Sequence, residues 1–353
     1  MPIITETIRR LARVELVSHI DPIPDADAIE KATIGGWSVV VKKNEFHPGD
    51  PVVFFEIDTA LPLDNPLFAF LAARGSKTVG DRAYHVLKTA RLRGTYSQGL
   101  ALPLADVVAG FGIVLPGWGE APPESFAGLD LTEQLGLGKW EPPLPVGNGE
   151  QAGPFLTTLA RKSDAERIQN LGEAWAEICA HQWIATEKVD GSSATVGRDE
   201  DGQLRVMSRN WEIVDGDNTY WNVTHKYSEL FEVLGVGEAV QFEIAGPGVQ
   251  ANPLGLGDVR PFVFGMFRGG VPVPMRDWPE AVRRWTVPVL DLPFPESPEA
   301  AIDQADGLMS AVNPAKRAEG IVWHEADATG LDVLDWRCVW KAVNNTYLLK
   351  AKD

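Results

Sequence analysis

Residues 187–193 read EKVDGSS, and Lys188 is placed there as a candidate amine nucleophile. A strand that delivers Lys188 into a turn of Asp190, Gly191, Ser192 and Ser193 presents its amine at the rim of a sheet. The small groups behind it leave room for a phosphate. Such an amine attacks only when neutral, and with an unperturbed pKa near 10.4 that costs about 4 kcal/mol at pH 7.4. Nearby positive charge and partial burial can supply the depression, with Lys341 and a divalent cation as candidate sources. Taken alone, Lys-x-Asp-Gly reads more readily as a surface hairpin.

Two carboxylates stand out further along. Glu243 in QFEIA and Glu319 in EGIVW sit inside β-rich, apolar runs, where acids are unusual unless they are paired or bind something. A structural salt bridge is the alternative for each. Phe264, in the alternating run PFVFGMF, reads as half-buried core on pattern alone. Arg167 in ERIQN reads as an exposed helical arginine or a phosphate contact. The stretch GSKT (75–78) lacks the glycine that a phosphate loop needs before its lysine, and the six histidines show no metal-type pair.

The elements that must position these residues are mostly strands. WSVVVKKNEF (37–46) and PVVFFEID (51–58) flank the turn HPGD, with further short strands in YHVLKTARL and SQGLALPL. Many short strands carrying one basic stretch suit a small barrel of the oligonucleotide/oligosaccharide-binding (OB) type over residues 1–115. Pro/Gly-rich pieces bracket LDLTEQLGL, so 116–155 reads as a linker, and 156–353 as a second domain. Ser163 and Glu166 form a capping-box pattern, and Ile168, Leu171, Trp175 and Ile178 recur at helical spacing, which predicts a helix there. Beyond residue 182 strands dominate, with DEDG (199–202) as a hairpin turn.

After EKVDGSS come SRNWEI (208–213), QFEIAGPGVQANP (241–253), PFVFGMF (261–267), AEGIVWH (318–324) and VWKAVNNTYLLK (339–350). Their order and spacing resemble the six motifs of the covalent nucleotidyltransferases, the superfamily of polynucleotide ligases and capping enzymes. EIAGPG followed by a glutamine is similar to the branch that seals nicked duplexes. DPIPDADAIEKATIGGWSVVVKKNEFHPGDPVVFFEIDTALP and SDAERIQNL resemble the leader of the Deinococcus/Naegleria-like RNA ligases.

The resemblance implies an α+β chain: an N-terminal OB-like β-barrel, then a nucleotidyltransferase domain of ATP-grasp-like antiparallel sheets. It implies an ATP-dependent RNA ligase with Mg2+ or Mn2+, in which Lys188 carries AMP, Glu243 accepts the ribose hydroxyls and Glu319 holds the metal. Phe264 then stacks on adenine, Arg209 touches the AMP sugar or the incoming end, and Ser193 touches the nucleotide. Glu187 helps seat adenine through its backbone carbonyl, and Arg167 and Lys341 contact phosphate. The last motif departs from the family's Lys-x-Lys, reading Lys341-Ala342-Val343, so a second cation comes from elsewhere, with Lys350 as a candidate. A DNA ligase and a capping guanylyltransferase are the nearest alternatives.

Charge bears on the partner. The net charge of −17 argues against nucleic acid at first sight. Between Arg74 and Arg93, however, stand six cations against one acid, Asp81, a local charge of +5. Lys88, Arg91 and Arg93 are candidate contacts to nicked duplex RNA or an RNA/DNA hybrid, a solvated barrel face being the alternative. No export signal and no bilayer-length apolar run appear, and two cysteines lack metal-type spacing. A cytoplasmic monomer with no membrane partner is expected.

Overall fold

A computed structural model of the chain describes residues 3–5, 9–141 and 149–349. The fold divides into two compact units, Met1–Leu144 with Leu348–Asp353, and Pro145–Tyr347.

In the first unit, strands Ala12–Pro22, Ile29–Ile34, Trp37–Lys42, Pro51–Phe55 and Leu100–Pro103 form one antiparallel sheet. The run PVVFF is continuously apolar because both of its faces are covered. Val52 and Phe54 pack with Trp37, Val39 and Val41, while Val53 and Phe55 pack with Leu61, Phe68 and Leu104. A second sheet joins Thr59–Pro62, Lys77–Val79, Arg82–Val86 and Gly138–Glu141.

That last strand overturns part of the expected linker. Leu115, Leu131, Leu135 and Leu137 are buried in this unit's core. At the other end, Gln151–Pro154 pairs with Trp211–Ile213 in the second unit. The Pro/Gly content of 116–137 marks turns between packed leucines, so this part of the expected linker is a folded segment.

The second unit contains two sheets. Seven strands follow the order 151–154, 211–213, 204–208, 192–198, 238–245, 260–268 and 271–272. Helices Thr219–Lys226 and Ser228–Phe231 supply Tyr220, Val223, Leu230 and Phe231 to one face, packed on Val196, Phe242 and Val263. Asp199–Gly202 makes the expected hairpin turn, with Asp199 accepting from the amides of Asp201 and Gln203. The smaller sheet runs 166–167, 339–343, 320–325 and 183–188. Ala185, Ile321, Trp323, Trp340 and Ala342 occupy its core face under helix Pro298–Ala305.

The helix expected from Ser163 to Ile178 does not form. Glu166–Arg167 is a short strand parallel to the 339–343 strand, followed by a 3-10 turn at Ile168–Asn170 and an α-helix only at Trp175–Ile178. The groups of the capping box are used differently. Ser163 Oγ lies 3.1 Å from Ser193 Oγ, and Glu166 Oε1 accepts from the Arg167 amide and from Asn170 Nδ2. Tertiary contacts outweigh the helical spacing, which survives only in the burial of Ile168, Leu171 and Ile178.

Candidate active site

Side chains alternate along a strand, so the register decides which residues share a face. Across the smaller sheet Thr186 pairs with Val322 and Val322 with Lys341, while Lys188 pairs with Gly320 and Gly320 with Val343. Lys188 and Lys341 therefore rise from one face, opposite the tryptophan-lined core. Gly320, beside Lys188 on the ladder, lets the strands come close. A Cβ there would lie 2.3 Å from the Ala342 carbonyl oxygen, so the strands approach too closely for any other residue.

The Lys-x-Asp-Gly stretch is the crossover between the two sheets. Lys188 ends the 183–188 strand, and Ser192 begins the 192–198 strand. Each intervening residue is fastened. Val189 is buried with Ala245, Leu254, Phe262 and Val287. Asp190 Oδ2 accepts from the Tyr347 hydroxyl, and the Gly191 carbonyl accepts from Gln250 Nε2 at 3.2 Å. A Cβ on Gly191 would meet the Ile244 carbonyl oxygen at 2.1 Å.

On the larger sheet Ser193 pairs with Glu243, and Glu243 with Phe262, so these three share a face. That face lies opposite the core side of Ala194, Phe242 and Val263. Phe264 falls at a register shift between Gln241 and Phe242, where it has no direct cross-strand partner. It is half-buried beside Phe262 and Leu254.

The charges converge. Lys188 Nζ lies 2.6 Å from Glu319 Oε2, with the two side chains 27% and 17% exposed. Burial disfavours the ammonium, but Glu319, Glu243 and Asp190 outweigh it and raise the Lys188 pKa. This corrects the expected depression: in the chain without ligands the acids win, and the nearby cation Lys341 does not neutralise the amine. Burial also pushes Glu243 up to about 8, opposed by Lys188 and Arg209 and reinforced by Glu319 and Asp190. Glu319 is raised by burial and by Asp190 against the pull of Lys188 and Lys341.

Mutually repelling carboxylates of this kind fit a hard cation. Among the described residues, no three His, Cys, Asp or Glu side chains are arranged to hold one by themselves. The oxygen donors therefore suit a metal that takes part of its coordination from phosphates and water.

The remaining expected residues divide. Arg209 is ion-paired with Asp164 and acts electrostatically on Glu243. Glu187 points to the opposite face from Lys188, where its Oε2 accepts from the Ala311 amide at 2.7 Å. Burial raises its pKa against the hydrogen bonds from Ser310, Ala311 and Val312. Its side chain braces the 310–312 turn. Arg167 is buried in the strand beside Lys341 rather than exposed on a helix. Burial opposes the charge of the adjoining Glu166, yet hydrogen bonds from Asn170 and the Arg167 amide, with the charges of Lys341 and Arg337, lower its pKa.

Tyr347, Asp164 and Arg337 were missed. Arg337 donates to the Asp164 carbonyl at 2.7 Å. Asp164 lies in SDAERIQNL and Tyr347 in VWKAVNNTYLLK, both motif stretches, whereas Arg337 lies outside them. Lys350 lies outside the described residues. In the first unit, Lys88, Arg91 and Arg93 are exposed, the arginines on a hairpin of Ala90–Leu92 and Thr95–Ser97. Arg82, by contrast, is engaged by both carboxylate oxygens of Asp64 at 2.8 and 2.9 Å. No helix among the described residues is long and apolar enough to cross a membrane.

Comparison with known proteins agrees with this geometry. An OB-fold domain model matches residues 11–104, and an RNA ligase model matches residues 181–343. No curated protein matches the chain. Naegleria gruberi RNA ligase, solved as an apo variant, is 32% identical with a TM-score of 0.83, covering 99% of this chain and 100% of that one. Its structure with PPi is 33% identical, TM-score 0.82, covering 98% and 100%. A variant with AMP and Mn is 33% identical, TM-score 0.83, again covering 98% and 100%. An N-terminal OB fold and a nucleotidyltransferase unit with Lys188 at its sheet crossover are thus joined in one chain, which belongs to the RNA ligase family.

Proposed function

We propose that this RNA ligase uses ATP to join 3′-hydroxyl and 5′-phosphate ends at nicks in duplex RNA or an RNA/DNA hybrid, through an AMP adduct on Lys188. The observation that carries the reading is the ion pair of Lys188 with Glu319, coupled electrostatically to Glu243, with Lys341 on the same sheet face as Lys188. The Naegleria ligase structures with ATP, AMP and Mn support ATP and a divalent ion as its cofactors.

In the first step Lys188 Nζ, after losing a proton, attacks the α-phosphorus of ATP. The P–N bond forms as the bond to pyrophosphate breaks. AMP then passes to the 5′-phosphate, freeing Lys188. Finally the 3′-hydroxyl attacks that phosphorus, a phosphodiester forms, and AMP leaves. Glu319 would hold Mg2+ or Mn2+, which when bound neutralises phosphate charge. Glu243 accepts from the ribose hydroxyls, and Lys341 offers a fixed cation to the phosphates. The two sheets fix the backbone positions of these groups, and positioning is most of what phosphoryl transfer asks of a protein.

Incubation with α-labelled ATP and, separately, GTP tests the reading. We expect an ATP-specific label on Lys188, stable to alkali and labile to acid as a P–N bond is, located by mass spectrometry, and none in Lys188→Ala. A GTP adduct would point to capping instead, and label surviving in Lys188→Ala would overturn the nucleophile. Nicks bearing ribose or deoxyribose 3′ ends then separate RNA joining from DNA joining.

A further inference from the structure

Trp336 is the one exposed tryptophan among the described residues, with 58% of its surface accessible. The others are buried or half-buried. Its backbone explains how the indole is kept out. Asp335 and Trp336 are consecutive non-glycine residues in the left-handed region, at φ +54° and +57°, and L-residues adopt that conformation only at a cost.

Several contacts hold them there. The Trp336 amide donates to the Leu331 carbonyl at 2.8 Å, the Asp335 amide to Asp332 at 2.8 Å, and the Leu331 amide to Arg337 at 3.2 Å. Arg161 Nη1 donates to the Trp336 carbonyl. Gly330, at φ +78°, lets that carbonyl approach, since a Cβ would lie 2.5 Å from it. A hydrophobic side chain displayed on so constrained a turn is a surface offered to something.

The turn is joined to the wall of the active site. Arg161, which holds Trp336, accepts through its own carbonyl from Gln241, two residues before Glu243 on the same strand face. Arg337 donates to the Asp164 carbonyl, and Asp164 pairs with Arg209. Arg161, whose guanidinium reaches the Trp336 carbonyl, and its chain neighbour Lys162 are both exposed cations. A flat aromatic next to cations, at the margin of a phosphate-transfer site, matches the way unpaired or frayed nucleobases are held: the ring takes the base and the cations take the backbone.

We propose that Trp336 is a substrate-positioning residue that stacks on a nucleobase of the RNA next to the ends being joined. This rests on RNA being the substrate but not on the lysyl-AMP step, so the two ideas fail separately. Trp336→Ala should weaken binding of a nicked RNA duplex roughly ten-fold. Trp336→Phe should recover most of the loss, and labelling of the protein by ATP should stay within two-fold in both.

A single abasic nucleotide walked across the nick then locates the contact. One position should weaken wild-type binding and add nothing further in Trp336→Ala, as expected when each change removes the same interaction. Unchanged RNA affinity in Trp336→Ala, equal losses at every abasic position, or a parallel fall in ATP labelling would each overturn the proposal. Melting curves of the two variants matching wild type confirm that the fold is intact; if Trp336→Ala melts early, the abasic walk on wild type alone decides, and absence of a sensitive position rejects the contact.

Discussion

Lys188 and Glu319 form an ion pair with Nζ and Oε2 2.6 Å apart, which favours the charged form of the amine proposed to attack phosphorus. The acid that protects it has to find another cation before the amine can work. Glu319→Gln should therefore lower labelling by ATP about 100-fold, although it removes a charge that keeps Lys188 protonated. Chelation should abolish labelling, and Mg2+ or Mn2+ should restore it in wild type. Full labelling in chelator, or a faster Glu319→Gln, would show that the pair serves stability alone.

Arg91 and Arg93 belong to the exposed hairpin of the first unit. Replacing both with alanine should weaken binding to nicked duplex and reduce the slope of log K against log salt by about 1.8. ATP labelling should be unaffected. Arg82→Ala serves as the contrast, because Asp64 already occupies that guanidinium. A salt slope identical in wild type and the double variant would remove the basic face from the interface.

Gly320 lies directly across the ladder from Lys188. Alanine there would press on the Ala342 carbonyl oxygen at 2.3 Å, and we expect a loss of about 1–3 kcal/mol in stability together with slower ATP labelling. Denaturant midpoints measure the first and adduct formation the second. A variant unchanged in both would mean that the sheet yields at no cost.

His324 is buried on the same sheet face, with Nε2 3.0 Å from the Thr186 hydroxyl, and burial lowers its pKa to about 4. An unfolded histidine titrates near 6.5, so the folded chain resists protonation. The stability this contributes is fully present above pH 6.5 and disappears as pH falls toward 4, a change of about 3 kcal/mol. The difference in unfolding free energy between wild type and His324→Gln should shift by that amount across the window. A difference independent of pH would mean that His324 takes up its proton equally readily in the folded and unfolded chain.

Much of this protein was legible in its sequence because the relevant signals are local. A Lys-x-Asp-Gly crossover, acids stranded in apolar runs, and motif strands in a fixed order all survive without knowledge of packing. The strand at 37–42 shows its buried alternation directly, and the doubly covered strand at 51–55 shows an unbroken apolar run.

Other features are set by partners far away along the chain. Helical spacing at 163–178 lost to strand pairing between Glu166–Arg167 and the 339–343 strand, and proline-rich turns at 116–137 proved to carry core leucines. The charge favoured on Lys188 in the chain without ligands depends on Glu243 and Glu319, which only folding brings to it. Strand alternation turns Glu187 away from the Lys188 face, while pairing with a distant strand puts Phe264 at a bulge. The sequence by itself determined which chemical groups and which family were present. Only the tertiary structure decided their faces, neighbours and charge states, because electrostatics and packing act through space and not along the chain.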